Sequence, residues 1–191
     1  MSEHKKTSTN KLSDNIQRIQ QKKGLPPVHM WHPEVVMDID ITITRDGSWY
    51  YENSKIERHK IVKLFSTVLR LDEDGYCLVT PVEKCRIKVD DAPFIATELN
   101  VEGEANQQKL TFTTNCDELV IADKDHQITV NINDATNEPA PYIHIRSNLN
   151  ALISRNVYYQ LVELAVEEVI EGKAWIGVWS NGVFFKIGTL D

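Results

Sequence analysis

Three cations alternate with three apolar side chains along Lys84-Cys85-Arg86-Ile87-Lys88-Val89. Extended, such a stretch sends Lys84, Arg86 and Lys88 to one face and Cys85, Ile87 and Val89 to the other. A row of ionised donors bonds strongly to phosphate oxygens; the alternative is the solvated face of an edge strand. Asp90-Asp91 follows directly and could meet a cation or a ligand hydroxyl. Adjacent strand residues point to opposite faces, however, so a glycosidase-like carboxylate pair would need a turn or helix there. Trp49, Tyr50, Trp175 and Trp179 offer rings on which a base could stack, as in single-strand readers. The alternative for them is core, and Trp175 and Trp179 share one parity and so one face.

Other site chemistries find no pattern. The histidines show no His-Glu-x-x-His and the cysteines no Cys-x-x-Cys, so a zinc site lacks support. Phosphate-binding Gly-rich loops and the Gly-x-Ser-x-Gly nucleophile elbow are missing as well. Ser66, Thr80 and Ser180 are hydroxyls to which no base can be assigned. No cofactor is specified. Cys77, Cys85 and Cys116 are an odd number, which suits small buried residues in a reducing compartment better than a disulfide framework.

The 191 residues carry a net charge of −7, which argues against non-specific binding of a nucleic-acid polymer. The polar start has no apolar core of a secretory signal, and no stretch approaches the roughly 18 apolar residues of a membrane span. A cytoplasmic location is expected.

The elements that must hold these residues follow from the patterning. Residues 1–24 read as a polar tail and a short helix capped by Ser13, with an apolar edge of Leu12, Ile16 and Ile19. Alternation from Val35 to Thr44 predicts a half-buried strand, and Asp46-Gly47 a hairpin turn. Ile61, Leu64, Phe65 and Val68 give a helix that ends before Asp74-Gly75. Strands are expected at 76–80 and 83–89, with a further one at 93–99. Runs at 110–114, 119–122 and 128–132 look like an antiparallel meander. After a strand at 142–146, a helix is expected from Ser154 to Ile170, and Asn181-Gly182 closes a last hairpin.

Two stretches echo each other. Ile56, Arg58, Val62 and Leu64 correspond to Ile153, Arg155, Tyr159 and Leu161, all 97 positions apart. Each stretch is followed by a hairpin. This predicts an α+β fold, a tandem duplication of a strand–helix–hairpin unit with antiparallel sheets, divided as 25–94 and 95–191. Arg58 and Arg155 become paired candidates at the seam between the copies, where ligand sites often lie. Their alternative role is to brace loop carbonyls or pair with a carboxylate.

Several runs resemble a bacterial family known as domain of unknown function 1285. They are Arg45-Asp46-Gly47-Ser48-Trp49-Tyr50, Leu78-Val79-Thr80-Pro81-Val82-Glu83-Lys84, Ile87 to Phe94, Tyr142-Ile143-His144-Ile145-Arg146, Leu149 to Arg155, and Trp179 to Phe185. The resemblance spans about residues 25–188. Asn53 and Lys55 stand where the family pattern has Gly and Pro. The resemblance implies tandem domains, the second superficially like a pleckstrin-homology fold, with a nucleotide-like ligand between them and a role in signal transduction. Candidate ligand contacts are then Trp49, Arg58, Thr80, Glu83, Lys84, Arg86, Lys88, Asp91, Arg146, Arg155 and Ser180. The expected function is a non-enzymatic binding or signalling module for an anionic ligand. The rivals are a protein-interaction scaffold using the N-terminal helix or a sheet edge, and a phosphoester hydrolase using Asp90 or Asp91.

Overall fold

The computed structural model describes Ile16, residues 24–132 and residues 138–189. The expected tail and N-terminal helix lie outside the described residues except for Ile16, which is helical and fully buried. The chain divides into two compact units, residues 1–90 and 91–191.

In the first unit a six-stranded sheet has the order β3-β2-β1-β6-β5-β4. Its strands are β1 (Val35–Ile43), β2 (Trp49–Tyr51), β3 (Ser54–Lys55), β4 (Leu69–Asp72), β5 (Gly75–Val79) and β6 (Glu83–Val89). Asp46-Gly47 does turn β1 into β2, with Ile43 opposite Trp49 and a positive φ of 77° at Gly47. β1 and β6 run parallel, with Val36 opposite Lys84 and Asp38 opposite Arg86. Helix α1 (His59–Ser66) buries Val62, Leu64 and Phe65. With Ile41, Ile43, Trp49, Val68 and Leu78 they make the core of this unit.

In the second unit the order is β10-β11-β12-β7-β8-β9, and a separate sheet is β13-β14-β15. The strands are β7 (Phe94–Glu102), β8 (Lys109–Thr114), β9 (Leu119–Ile121), β10 (Ile128–Ile132), β11 (Pro139–Arg146), β12 (Leu149–Ile153), β13 (Val166–Ile170), β14 (Lys173–Ser180) and β15 (Val183–Thr189). Helix α2 (Arg155–Glu163) joins β12 to β13. β9 and β10, though consecutive, lie at opposite edges of the larger sheet, so the expected three-strand meander stops at β9. The third run pairs with β11 instead, Ile128 opposite Ile143.

The α+β expectation is corrected. Of the described residues 53% lie in strands and 15% in helices, and the architecture is mostly β, with three sheets and a half-barrel. The tandem strand–helix–hairpin unit with antiparallel sheets is not what forms. β1–β6 and β7–β12 are parallel pairs. The pleckstrin-homology-like second domain falls with it, since that unit forms a six-stranded and a separate three-stranded sheet, with its helix between β12 and β13 in sequence.

The physical reason lies just past each helix. α1 ends at Ser66, and Leu69–Asp72 becomes β4. α2 ends at Glu163, and Val166–Ile170, read as its last turns, becomes β13. Val and Ile fit both periods, and a short apolar run does not tell helix from strand by itself. The two-residue turn Glu171-Gly172, with φ of 54° and 77°, decides for a hairpin.

The smaller sheet is tied to the larger by buried polar contacts. Ser180 Oγ donates to the Ala122 carbonyl at 2.7 Å and accepts from the Leu110 N–H at 3.0 Å. Gln108 donates to the Trp179 carbonyl at 2.7 Å. Ser180→Ala strands the buried Leu110 N–H, which costs about 2 kcal/mol. A denaturant titration followed by circular dichroism should show a lower midpoint with unchanged slope for the second unit.

Candidate functional site

The cationic stripe lies on a central strand, not an edge. β6 sits between β1 and β5, with Cys85 and Ile87 buried and Lys88 exposed. Lys84 Nζ lies 2.7 Å from Asp72 and 2.6 Å from Asp74. Arg86 binds Asp38 at 2.7 Å, its neighbour across the parallel seam. Two of the three cations are thus neutralised by carboxylates of their own unit. Arg70 completes a cluster by gripping Asp72 at 2.7 and 2.8 Å while its Nη1 holds the carbonyls of Val28 and Trp31, each at 2.8 Å. These cations hold the carboxyl of Asp72 well below its ordinary value, down to about 2, with the Arg70 hydrogen bonds the largest cause.

The other candidates fall into three groups. Trp49 is buried against Phe65 and cannot be a stacking surface for an arriving ring. Thr80 and Ser180 are buried. The Thr80 hydroxyl accepts from the Val82 and Glu83 amides, and Glu83 begins β6 half-buried. Asp91 accepts from the Tyr142 hydroxyl at 2.7 Å, and Arg146 pairs with Glu118 while lying 5.0 Å from the Phe94 ring. Arg58 and Arg155 are different. Arg58 is the N-cap of α1 and Arg155 opens α2, both exposed, and no ion pair engages either among the described residues. Cations are disfavoured at helix N-termini, so neither is a brace of its helix.

The remaining reactive side chains are committed to structure. Cys77, Cys85 and Cys116 are buried free thiols, and burial pushes Cys77 up to about 11 and Cys85 up to about 12. His144 has both ring nitrogens against carbonyls, Asp125 at 2.9 Å and Ser147 at 2.7 Å, and its ring stacks on His126. Among the described residues no group of three or more His, Cys, Asp or Glu is placed to hold a metal ion.

One face of the β13-β14-β15 sheet has a different character. Its other face buries Val178, Ser180, Phe185 and Ile187. On this face Trp175, Trp179 and Phe184 are half-buried, and Lys173 and Lys186 are exposed. The Lys186 ammonium lies 4.1 Å and the Lys173 ammonium 4.7 Å from the centroid of the Trp175 ring. Neither lysine is in an ion pair among the described residues. Trp179 donates to Glu168 at 3.2 Å and packs on Phe184 at 5.3 Å. Phe184 lies so close over Gly177 that a Cβ there would meet its ring at 2.4 Å.

Residues 26–92 match the N-terminal domain, and residues 93–187 the C-terminal domain, of a family described as domain of unknown function (DUF1285). The crystal structure of a DUF1285 family protein from Silicibacter pomeroyi DSS-3 is 44% identical, covers 92% of this chain and 93% of its own, and superposes with a TM-score of 0.83. The chain belongs to the DUF1285 family. A second DUF1285 family protein, from Shewanella baltica OS155, is 27% identical over 64% of this chain and 90% of its own, with a TM-score of 0.49. No curated protein matches.

In this DUF1285 chain Lys173 and Lys186 are the residues the sequence reading missed. The signal available was the Glu171-Gly172 turn, which fixes Lys173 and Trp175 on one face. No helix among the described residues is long and apolar enough to cross a membrane.

The Asp72 cluster makes a signed prediction. A carboxyl lowered from 3.8 to about 2 adds stability that is present above pH 4 and lost as pH falls toward 2. Asp72→Asn should cost about 2 kcal/mol at pH 7. The gap between variant and wild type, measured by denaturant titration from pH 7 down to pH 2, should close in that window.

Proposed function

We propose that this protein is a non-enzymatic binding module for an anionic, ring-bearing ligand such as a nucleotide, received on the Trp175 face of the β13-β14-β15 sheet. The observation that carries the reading is the approach of two ammonium groups, without an ion pair among the described residues, to one half-buried indole. Each cation is attracted to the ring, the two repel each other, and neither is ion-paired among the described residues, the Glu168 carboxylate across from Trp175 being held by the Trp179 indole N–H. A planar ligand displaces one ammonium from the ring face and stacks in its place. The displaced lysine then reaches the ligand's negative group, since its flexible stem carries a compact donor. Stacking of this kind contributes about 1–3 kcal/mol, and each charge-assisted hydrogen bond adds to it.

The candidates on β6 serve this reading poorly, because Lys84 and Arg86 already have carboxylate partners. A phosphoester hydrolase is not favoured by any arrangement around Asp90 and Asp91. The Asp90 amide donates to the Ile43 carbonyl and the Asp91 carboxylate meets Tyr142.

A thermal-shift series with AMP, inorganic phosphate and adenosine tests the proposal. At about one hundred times its dissociation constant a ligand stabilises by about 2.7 kcal/mol. AMP should raise the melting temperature more than phosphate or adenosine alone. Lys173→Ala/Lys186→Ala, which changes exposed side chains only, should abolish the shift. A shift that survives the double variant, or a silent AMP arm, rejects the site.

A further inference from the structure

We infer that the free edge of β13 is a docking strand for an extended basic segment of another protein. β13 is the outer strand of its sheet, and no strand among the described residues pairs on its far side. The two-residue turn Glu171-Gly172 makes Ile170 and Lys173 the closing hydrogen-bonded pair. Antiparallel ladders alternate, so Ile170, Glu168 and Val166 bond to β14, and the N–H and C=O of Glu167 and Val169 point outward. These four groups are a template for one more strand.

The side chains around that edge say what kind of strand. Val166 is 43% and Val169 68% exposed, and both are large apolar groups at an unpaired edge. Between them stand Glu167, exposed, and Glu168, half-buried with its carboxylate accepting from the Trp179 indole N–H at 3.2 Å, and Glu171 follows in the turn. The edge therefore reads apolar–acid–acid–apolar, and a strand that complements it reads apolar–base–base–apolar.

A second copy of this chain does not fit. Antiparallel self-pairing through the outward groups has three registers. Glu168 faces its own copy in the first, Glu167 faces its own copy in the second, and Glu167 faces Glu171 of the copy in the third. Like charges directly opposite are destabilising in each, so the edge rejects itself while remaining open to a cationic strand.

The test uses the full chain and two fluorescein-labelled octapeptides, Ser-Thr-Val-Lys-Lys-Val-Thr-Ser and the same peptide with Glu-Glu in place of Lys-Lys. Fluorescence anisotropy should show saturable binding of the lysine peptide, at least about tenfold tighter than the glutamate peptide and weakened by salt. Val169→Pro removes an outward N–H without touching the bonds to β14, and it should lower affinity by about tenfold or more. Glu167→Lys/Glu168→Lys should reverse the preference toward the glutamate peptide, a readout that does not depend on the proline variant folding. Equal binding of both peptides, no saturation up to millimolar concentration, affinity unchanged in a folded Val169→Pro protein, or an unreversed preference would each overturn the inference.

Discussion

Parallel pairing of β1 with β6 fixes the chemistry of the first unit. It brings two strands distant in sequence side by side and places Asp38 opposite Arg86. Antiparallel β5 on the other flank is fed by β4 through the turn that carries Asp74. Lys84 and Arg86 therefore arrive between acidic side chains supplied by both neighbours. Alternating cations on an isolated strand would be an anion-binding row. In this sheet Lys84 and Arg86 become ties, and Arg70 and Asp72 extend them to the segment around Val28 and Trp31.

The second unit depends on a different constraint, the polar anchoring of a small sheet whose two faces differ. Ser180 and Gln108 satisfy backbone groups at the seam between β14 and β8. That fixes which face of β14 turns inward. Val178, Phe185 and Ile187 follow it into the core, and Trp175, Trp179, Lys173 and Lys186 are left outward. Gly177 is required because Phe184 lies across it. The cation-rich indole and the open β13 edge both result from this one orientation.

Turn chemistry was the most legible part of the sequence. Asp46-Gly47 and Asn181-Gly182 mark hairpins that form, since the positive φ at Gly47, Asn181 and Gly182 is cheap for Asn and Gly. Burial parity along β6 was also legible, because period-2 alternation survives whatever strand lies beside it. Strand order was not. The parallel seams join residues more than forty positions apart, and no local pattern specifies them. Without the order, the partners of Lys84 and Arg86 could not be read, nor could the burial of Trp49, on β2, against Phe65. The helix expected from Ser154 to Ile170 ends at Glu163, because the Val and Ile residues of Val166–Ile170 suit a strand as readily as a helix. The arginines matched in sequence, Arg58 and Arg155, both stand exposed at helix starts, and their helices lead into the antiparallel runs β4-β5-β6 and β13-β14-β15, which have different surroundings.

The central claim is that ligand charge is met at Trp175 and not along β6. A titration of isotope-labelled protein with AMP, observed in the amide and indole N–H region of a proton–nitrogen correlation spectrum, tests it directly. The sequence has four tryptophans, so four indole signals can be assigned. The account predicts that the Trp175 indole moves most, together with the amides of Lys173 and Lys186, while the Trp49 indole and the amides of Lys84 to Lys88 stay in place. Saturable shifts along Lys84 to Lys88 with a stationary Trp175 would contradict it.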